Sequence, residues 1–128
     1  MRLIIAAPSN GEILKDALKI RLEQDSRVES LTDLSDNNAG YPQLSFAAAQ
    51  AVAEGEADRA ILICGTGVGT AIAANKVSGA RAATAHDLLS VKGSVENYDA
   101  QILCMGKNVI AAPAGGVGIS GYLAGFAS

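Results

Sequence analysis

The sequence predicts an α/β fold: one Rossmann-like domain over residues 1–128, built as a doubly wound sheet of five parallel strands in three α/β/α layers. Three observations carry that reading. Short apolar runs alternate with segments of helical period along most of the chain. The 128 residues are 49% hydrophobic but only 4% aromatic, with no Trp, so Ala, Val, Ile and Leu must build the core, as they do in parallel sheets covered on both faces. Finally, the run Ala60 to Ile63 ends in Cys64-Gly-Thr-Gly-Val-Gly69 and passes straight into an Ala-rich helical stretch. Strand, glycine loop and helix in that order present backbone N–H groups to an anion at the carboxyl edge of such a sheet.

Taken in order, Leu3 to Ala6 is the first strand, and Ile13, Leu14, Ala17, Leu18 and Leu22 then fall at helical spacing over Glu12 to Leu22. Val28 to Leu34 reads as the second strand. The turn formers from Asp33 to Pro42 make a loop, followed by a helix over Leu44 to Ala53. Ala60 to Ile63 is the third strand, and Val68 to Val77 the helix behind the glycine loop. Ala80 to Ala85 is the fourth strand. Asp87 is placed to cap a helix from Leu88 to Glu96, and Gln101 to Met105 is the fifth strand. Ligands in doubly wound sheets sit beyond the carboxyl ends of the strands. The residues expected there are Ala7 to Asn10, Ser35 to Tyr41, Cys64 to Gly69, His86 and the segment Asn97 to Ala100. From Lys107 to Ser128 glycines recur at 115, 116, 118, 121 and 125, each costing roughly 1 kcal/mol inside a helix. A close-packed helix from Val117 and an irregular tail are both open.

Charge and cysteine usage narrow the classes of function. The net charge is −3 with no basic cluster, which argues against nucleic acid. No stretch nears the ~20 apolar residues of a membrane span, and Met1 opens directly on a strand rather than on a signal peptide. Two cysteines in apolar runs, Cys64 and Cys104, read as reduced thiols of a cytoplasmic protein. One His and scattered carboxylates give no metal-ligand cluster, and no cofactor is implied. The spacing Gly65-x-Gly67-x-Gly69 is not the dinucleotide form, and no C-x-x-C pair supports thiol redox chemistry.

A Cys beside a helix N-terminus can have its pKa lowered, which makes thiolate chemistry accessible near neutral pH; the plain alternative is a buried strand residue. Cys64-Gly-Thr-Gly-Val-Gly69 followed by Ile72-Ala-Ala-Asn-Lys76 resembles the signature of the ribose-5-phosphate isomerase B / galactose-6-phosphate isomerase family. The resemblance runs from Met1 to about Met105. It takes in Gly11 with Ile13-Leu14-Lys15, the pair Tyr41-Pro42 and Gly79-Ala80-Arg81-Ala82. It implies an aldose–ketose isomerase with a small sugar or sugar phosphate as its partner molecule, assembled as a homodimer or tetramer, or as a hetero-oligomer. Such a reaction needs a base for the proton next to the carbonyl and donors for the enediolate oxygen.

By that resemblance Cys64 is the base. Another branch of the family carries an acid at the position of Val68, which valine cannot replace. Thr66 would add a hydroxyl to catalysis, and the N–H groups of Gly65, Gly67, Val68 and Gly69 would stabilise the oxyanion. Tyr41 would wall the pocket, Asn97 and Asp99 would orient substrate hydroxyls, and Ser9 lies at the mouth of the first strand. Several family positions differ. Pro8-Ser9 replaces Asp-His, and the ring-opening histidine aligns to Asn97. The next asparagine aligns to Tyr98, while Asp99 is retained. The arginine-bearing tail that helps hold phosphate is not expected in a chain ending at Ser128, which leaves Lys107, Arg81 and Lys92 as cations. A tetrose 4-phosphate needs no ring opener, because its ring-closing oxygen is blocked; an unphosphorylated sugar would not need the arginines. His86 is either a residue leading into the fourth helix or a substitute acid–base group. The competing reading of the whole chain is a non-catalytic subunit that pairs with an active paralogue.

Overall fold

The computed structural model describes residues 1–36 and 38–110; the glycine-rich stretch 111–128 lies outside the described residues. Five strands alternate with four helices: β1 (Arg2–Ala6), α1 (Glu12–Glu23), β2 (Ser30–Asp33), α2 (Tyr41–Ala53), β3 (Arg59–Cys64), α3 (Val68–Asn75), β4 (Ala82–Thr84), α4 (Leu88–Tyr98) and β5 (Ile102–Gly106), with a short 3-10 turn at Ser9–Gly11 before α1. Neighbouring strands are parallel, in the order β2-β1-β3-β5-β4. The chain leaves β1 toward one edge and then crosses to β3 on the other side, so the switch point of the sheet lies between β1 and β3.

Alternation along the strands sorts the core into two faces. Leu3, Ile5, Ile61, Ile63, Leu103 and Met105 meet Leu14, Leu18 and Leu22 of α1 and Val91 of α4. Ile4, Ala6, Ala60, Leu62, Ile102 and Cys104 meet Leu44, Ala48, Ala49 and Val52 of α2 and Ala71 and Ala74 of α3. The second face is alanine-rich, which brings α2 and α3 close to the sheet. Cys64 shares its strand parity with Ala60 and Leu62 and so belongs to the α3 side.

The expected three-layer architecture is present, with differences at element ends. The second helix starts at Tyr41 rather than Leu44, because Pro42 fits a helical first turn where its missing N–H costs nothing. β4 is only Ala82–Thr84 and β2 only Ser30–Asp33. The Asp87 cap forms as expected, its carboxylate accepting the Ser90 N–H at 2.8 Å.

Candidate active site

β3 carries Cys64 to the carboxyl edge of the sheet, beside Gly106 at the end of β5. The chain then turns through Gly65, Thr66 and Gly67 into α3. Gly67 sits at φ +81°, and a Cβ there would lie 2.9 Å from the Met105 carbonyl carbon. A Cβ on Gly106 would lie 2.5 Å from the carbonyl carbon of Thr66. The glycine loop is thus pressed onto the end of β5, with backbone against backbone. Lys107 and Asn108 donate their N–H groups to the carbonyls of Cys64 and Gly65 at 2.9 and 3.0 Å, which ties the segment after β5 to the loop.

The fold back aims donors at the sulfur. The Gly67 N–H points to Cys64 Sγ at 3.2 Å, and the Thr70 hydroxyl of α3 lies 3.5 Å from it. Burial pushes the Cys64 thiol up, but hydrogen bonds from the Thr70 hydroxyl and from the N–H groups of Thr70, Gly67 and Thr66 outweigh it, and its pKa falls below the ordinary thiol value. Cys104, two residues down β5 and on the same face, differs. Burial pushes its thiol up to about 12, so it stays protonated at neutral pH. Diagonal positions of this kind on adjacent strands put Cα atoms about 8 Å apart, beyond disulfide reach, and both cysteines are free.

Around this centre the structure gathers most of the residues expected from sequence. Thr66 is exposed at the crest of the loop, its hydroxyl oxygen accepting the Val68 N–H at 3.3 Å. The Val68 side chain is 49% exposed. The Tyr41 ring lies against Gly69, so close that a Cβ on Gly69 would come within 2.9 Å of it, and the ring walls the start of α3. Ser9 is exposed just past β1, one strand over from Cys64. Beneath it, Asp33 at the end of β2 accepts the Ser35 N–H at 2.8 Å and pairs with Lys15 and Lys19 at 3.0 and 3.1 Å, while Ser35 Oγ accepts the Ala7 N–H. Burial raises the Asp33 carboxyl, yet the bonds from Ser35 and the two lysines hold it well below the usual carboxylate range.

Four expectations need correction. The N–H groups of Gly67 and Val68, expected to face a substrate oxygen, are engaged inside the loop by Cys64 Sγ and by Thr66 Oγ1. The segment Asn97 to Ala100 is not at the Cys64 edge. It lies between the end of α4 and the start of β5, and Asp99 there pairs with Arg81 at 2.7 Å and Arg59 at 4.0 Å. Arg59 opens β3 and Cys64 closes it, so within one chain Asn97 and Asp99 sit roughly 16 Å from the thiol at ~3.3 Å of strand per residue. Arg81 is committed to the same remote edge, Lys92 lies 4.0 Å from Glu96 on α4, and Lys107 follows β5 beside the loop. Finally, the Nε2 atom of His86 accepts the Gly106 N–H at 2.8 Å, so that nitrogen anchors the backbone and is not presented to a ligand.

Sequence reasoning missed Thr70, Thr84 and Gly106. Thr84 at the end of β4 donates its hydroxyl to the Gly67 carbonyl at 2.9 Å. The signal available was two threonines in apolar surroundings, one inside a helix where an unsatisfied hydroxyl is unfavourable. Among the described residues no group of three His, Cys, Asp or Glu is placed to hold a metal ion, and no helix is long and apolar enough to cross a membrane.

Comparison with known proteins bears on the family and the fold. The Ribose/Galactose Isomerase family profile matches residues 3–119. The D-erythrulose-4-phosphate isomerase 2 of Mycolicibacterium smegmatis is 51% identical over 114 residues, spanning 86% of this chain and 75% of that one. Ribose-5-phosphate isomerase B of Escherichia coli is 40% identical over 101 residues, or 78% and 68% of the two chains. Ribose-5-phosphate isomerase B of Clostridium thermocellum superposes with a TM-score of 0.89 at 35% identity, covering 96% of this chain and 84% of that chain. The signature at Cys64 to Lys76, the doubly wound sheet and these matches converge: the chain belongs to the Ribose/Galactose Isomerase family.

Proposed function

We propose that this chain interconverts the aldose and ketose forms of a phosphorylated tetrose through an enediolate, with the Cys64 thiolate taking the proton next to the carbonyl and returning it to the neighbouring carbon. The observation that carries the reading is the depressed thiol at the switch point of the sheet, held by Gly67 N–H and Thr70 and flanked by Ser9, Thr66 and Tyr41. Thr66 accepts from Val68, which leaves its own O–H free to donate to a substrate oxygen. The N–H groups of Gly65 and Gly69 are the loop donors assigned to the enediolate oxygen, and Lys107 is the cation assigned to phosphate.

The tetrose assignment follows from what the site lacks. Pro8-Ser9 and Asn97 stand where ring-opening chemistry would need an acid–base pair, and His86 is tied to Gly106. A tetrose whose terminal oxygen is phosphorylated cannot close a five-membered ring and reacts from its open form. The relative that is 51% identical is named for such a substrate.

The reading assigns Asn97 and Asp99 to the thiol of a second copy of the chain, and so a homo-oligomer with shared sites. Tyr41, Phe46, Val68 and Ile72 give α2 and α3 an exposed apolar face beside the loop, 40–57% accessible at each residue, suited to such a contact. We read residues 1–128 as one domain at work in the cytoplasm, where both free thiols stay reduced.

The test is deuterium incorporation in D₂O, followed by NMR, over tetroses, pentoses and hexoses with and without phosphate. The proposal expects exchange fastest with the tetrose 4-phosphates. Faster exchange with a pentose 5-phosphate would reassign the substrate, and no exchange from folded protein would favour a silent partner subunit. Mixing Cys64→Ala and Asn97→Ala chains should restore turnover that neither has alone, if sites are shared.

A further inference from the structure

We infer that Thr70 is a positioning residue for the Cys64 thiolate, turning its one hydroxyl proton from the Gly67 carbonyl to the sulfur when the thiol ionises, while Thr84 keeps that carbonyl bonded. The inference rests on the reading of Cys64 as the base. Thr70 is 2% exposed, its side chain buried under the first turn of α3, so it does not touch substrate. Its Oγ1 is 3.2 Å from the Gly67 carbonyl oxygen and 3.5 Å from Cys64 Sγ. A hydroxyl carries a single proton and cannot donate to both at once.

The two protonation states therefore use it differently. With Cys64 neutral, the S–H donates to Thr70 Oγ1 and Thr70 donates to Gly67. With the thiolate, the sulfur is only an acceptor, and Thr70 turns to it alongside the Gly67 N–H. Such a turn takes a donor away from a buried carbonyl, which is costly if none remains. Here the Gly67 oxygen keeps its 2.9 Å bond from Thr84 Oγ1, beside a longer 3.4 Å bond from the Ala71 N–H. The proton released by the thiol leaves to solvent, or, after catalysis, is the one returned to substrate carbon, so the threonines turn without net proton transfer.

The setting is short of charge. Among the described residues, the titratable groups on the elements around the sulfur are Arg59 at the far end of β3, Cys104 and Lys107 of β5 and its following turn, Tyr41 of α2, Lys76 at the end of α3, and His86 and Asp87 after β4. Cys104 stays protonated, His86 accepts from Gly106 and Asp87 caps α4. The groups bonded to the sulfur itself, the Gly67 and Thr66 N–H groups and Thr70, are neutral. Thiolate stabilisation falls to oriented hydrogen bonds rather than to an ion pair.

The experiment measures the pH dependence of iodoacetamide alkylation at the Cys64 peptide by mass spectrometry, beside the pH dependence of kcat/KM, in Thr70→Val, Thr70→Ser and Thr84→Val. Thr70→Val keeps the shape and removes the hydroxyl. Its alkylation midpoint should rise by about one pH unit, a tenfold smaller thiolate fraction at neutral pH, and the rising limb of kcat/KM should move with it. Thr70→Ser should restore both, and Thr84→Val should raise the midpoint by less. An unchanged alkylation midpoint in Thr70→Val and Thr84→Val would overturn the inference while leaving Cys64 as base. A shifted alkylation midpoint with an unmoved kcat/KM profile would uphold the threonine effect and instead remove Cys64 from proton transfer. Should Thr70→Val fail to fold, Thr70→Ala removes the same hydroxyl and carries the same comparison with Thr70→Ser and Thr84→Val.

Discussion

The two edges of the sheet are held together by different physics. At the carboxyl edge, the glycine loop lies backbone to backbone on β5, and the hydroxyls of buried Thr70 and of Thr84, a histidine nitrogen and main-chain N–H groups form the bonds around it. At the amino edge, exposed ion pairs do the tying: Arg2 with Asp58 and Arg81 with Asp99, each partner 44–66% accessible. Pairs of that kind are worth about 0–1 kcal/mol and tolerate loss. Close backbone packing is concentrated around the thiol, and the opposite edge rests on exposed pairs.

The sharpest way to break that contrast is at Gly106. Gly106→Ala forces a Cβ into the Thr66 backbone, and overpacking against main chain should cost about 3 kcal/mol, with the loss of turnover exceeding the loss of melting temperature would explain; thermal unfolding beside kcat/KM checks both. Next comes Asp33→Asn, which leaves the nearly buried Lys15 without its main anion and should cost roughly 2 kcal/mol. The sign of its pH dependence is fixed. The folded carboxyl lies below its unfolded pKa of ~3.9, so its stabilisation is complete above about pH 5 and is lost as pH falls through that value toward the folded one. Denaturant titrations in acid should therefore show a steeper loss of stability in the natural protein than in the variant. The smallest effect is expected at Asp99→Asn, which keeps a residue tolerant of φ +51° and removes the exposed pair with Arg81 and the longer one with Arg59; stability should change by less than ~1 kcal/mol. A larger loss there than at Asp33 would dissolve the distinction between the edges.

Much of this was legible in the residues. Strand, glycines and helix in sequence placed Cys64 at a carboxyl edge, and the dense Ala-Val-Ile-Leu composition implied a sheet covered on both faces. Other features were hidden by the physics that makes them. Tyr41-Pro42 reads as loop because proline breaks helices everywhere except in the first turn. Thr70 and Thr84 look like ordinary apolar-segment threonines until α3 is folded over β3 and Gly67 is brought between them. Gly106 reads as the end of a strand, since nothing local shows that another backbone will lie on it. The misplaced segment Asn97 to Ala100 is different. A stretch between a helix and the next parallel strand must sit at that strand's start, so element order alone excluded it from the Cys64 edge of its own chain.

The central claim is that the Cys64 sulfur moves the proton. Its most direct measurement is the rate at which D₂O deuterium enters the carbon next to the carbonyl of D-erythrulose 4-phosphate, compared between the natural protein and Cys64→Ala of unchanged melting temperature. Loss of a positioned base should slow exchange by about 10²- to 10⁴-fold. Exchange at the natural rate in folded Cys64→Ala would contradict the account.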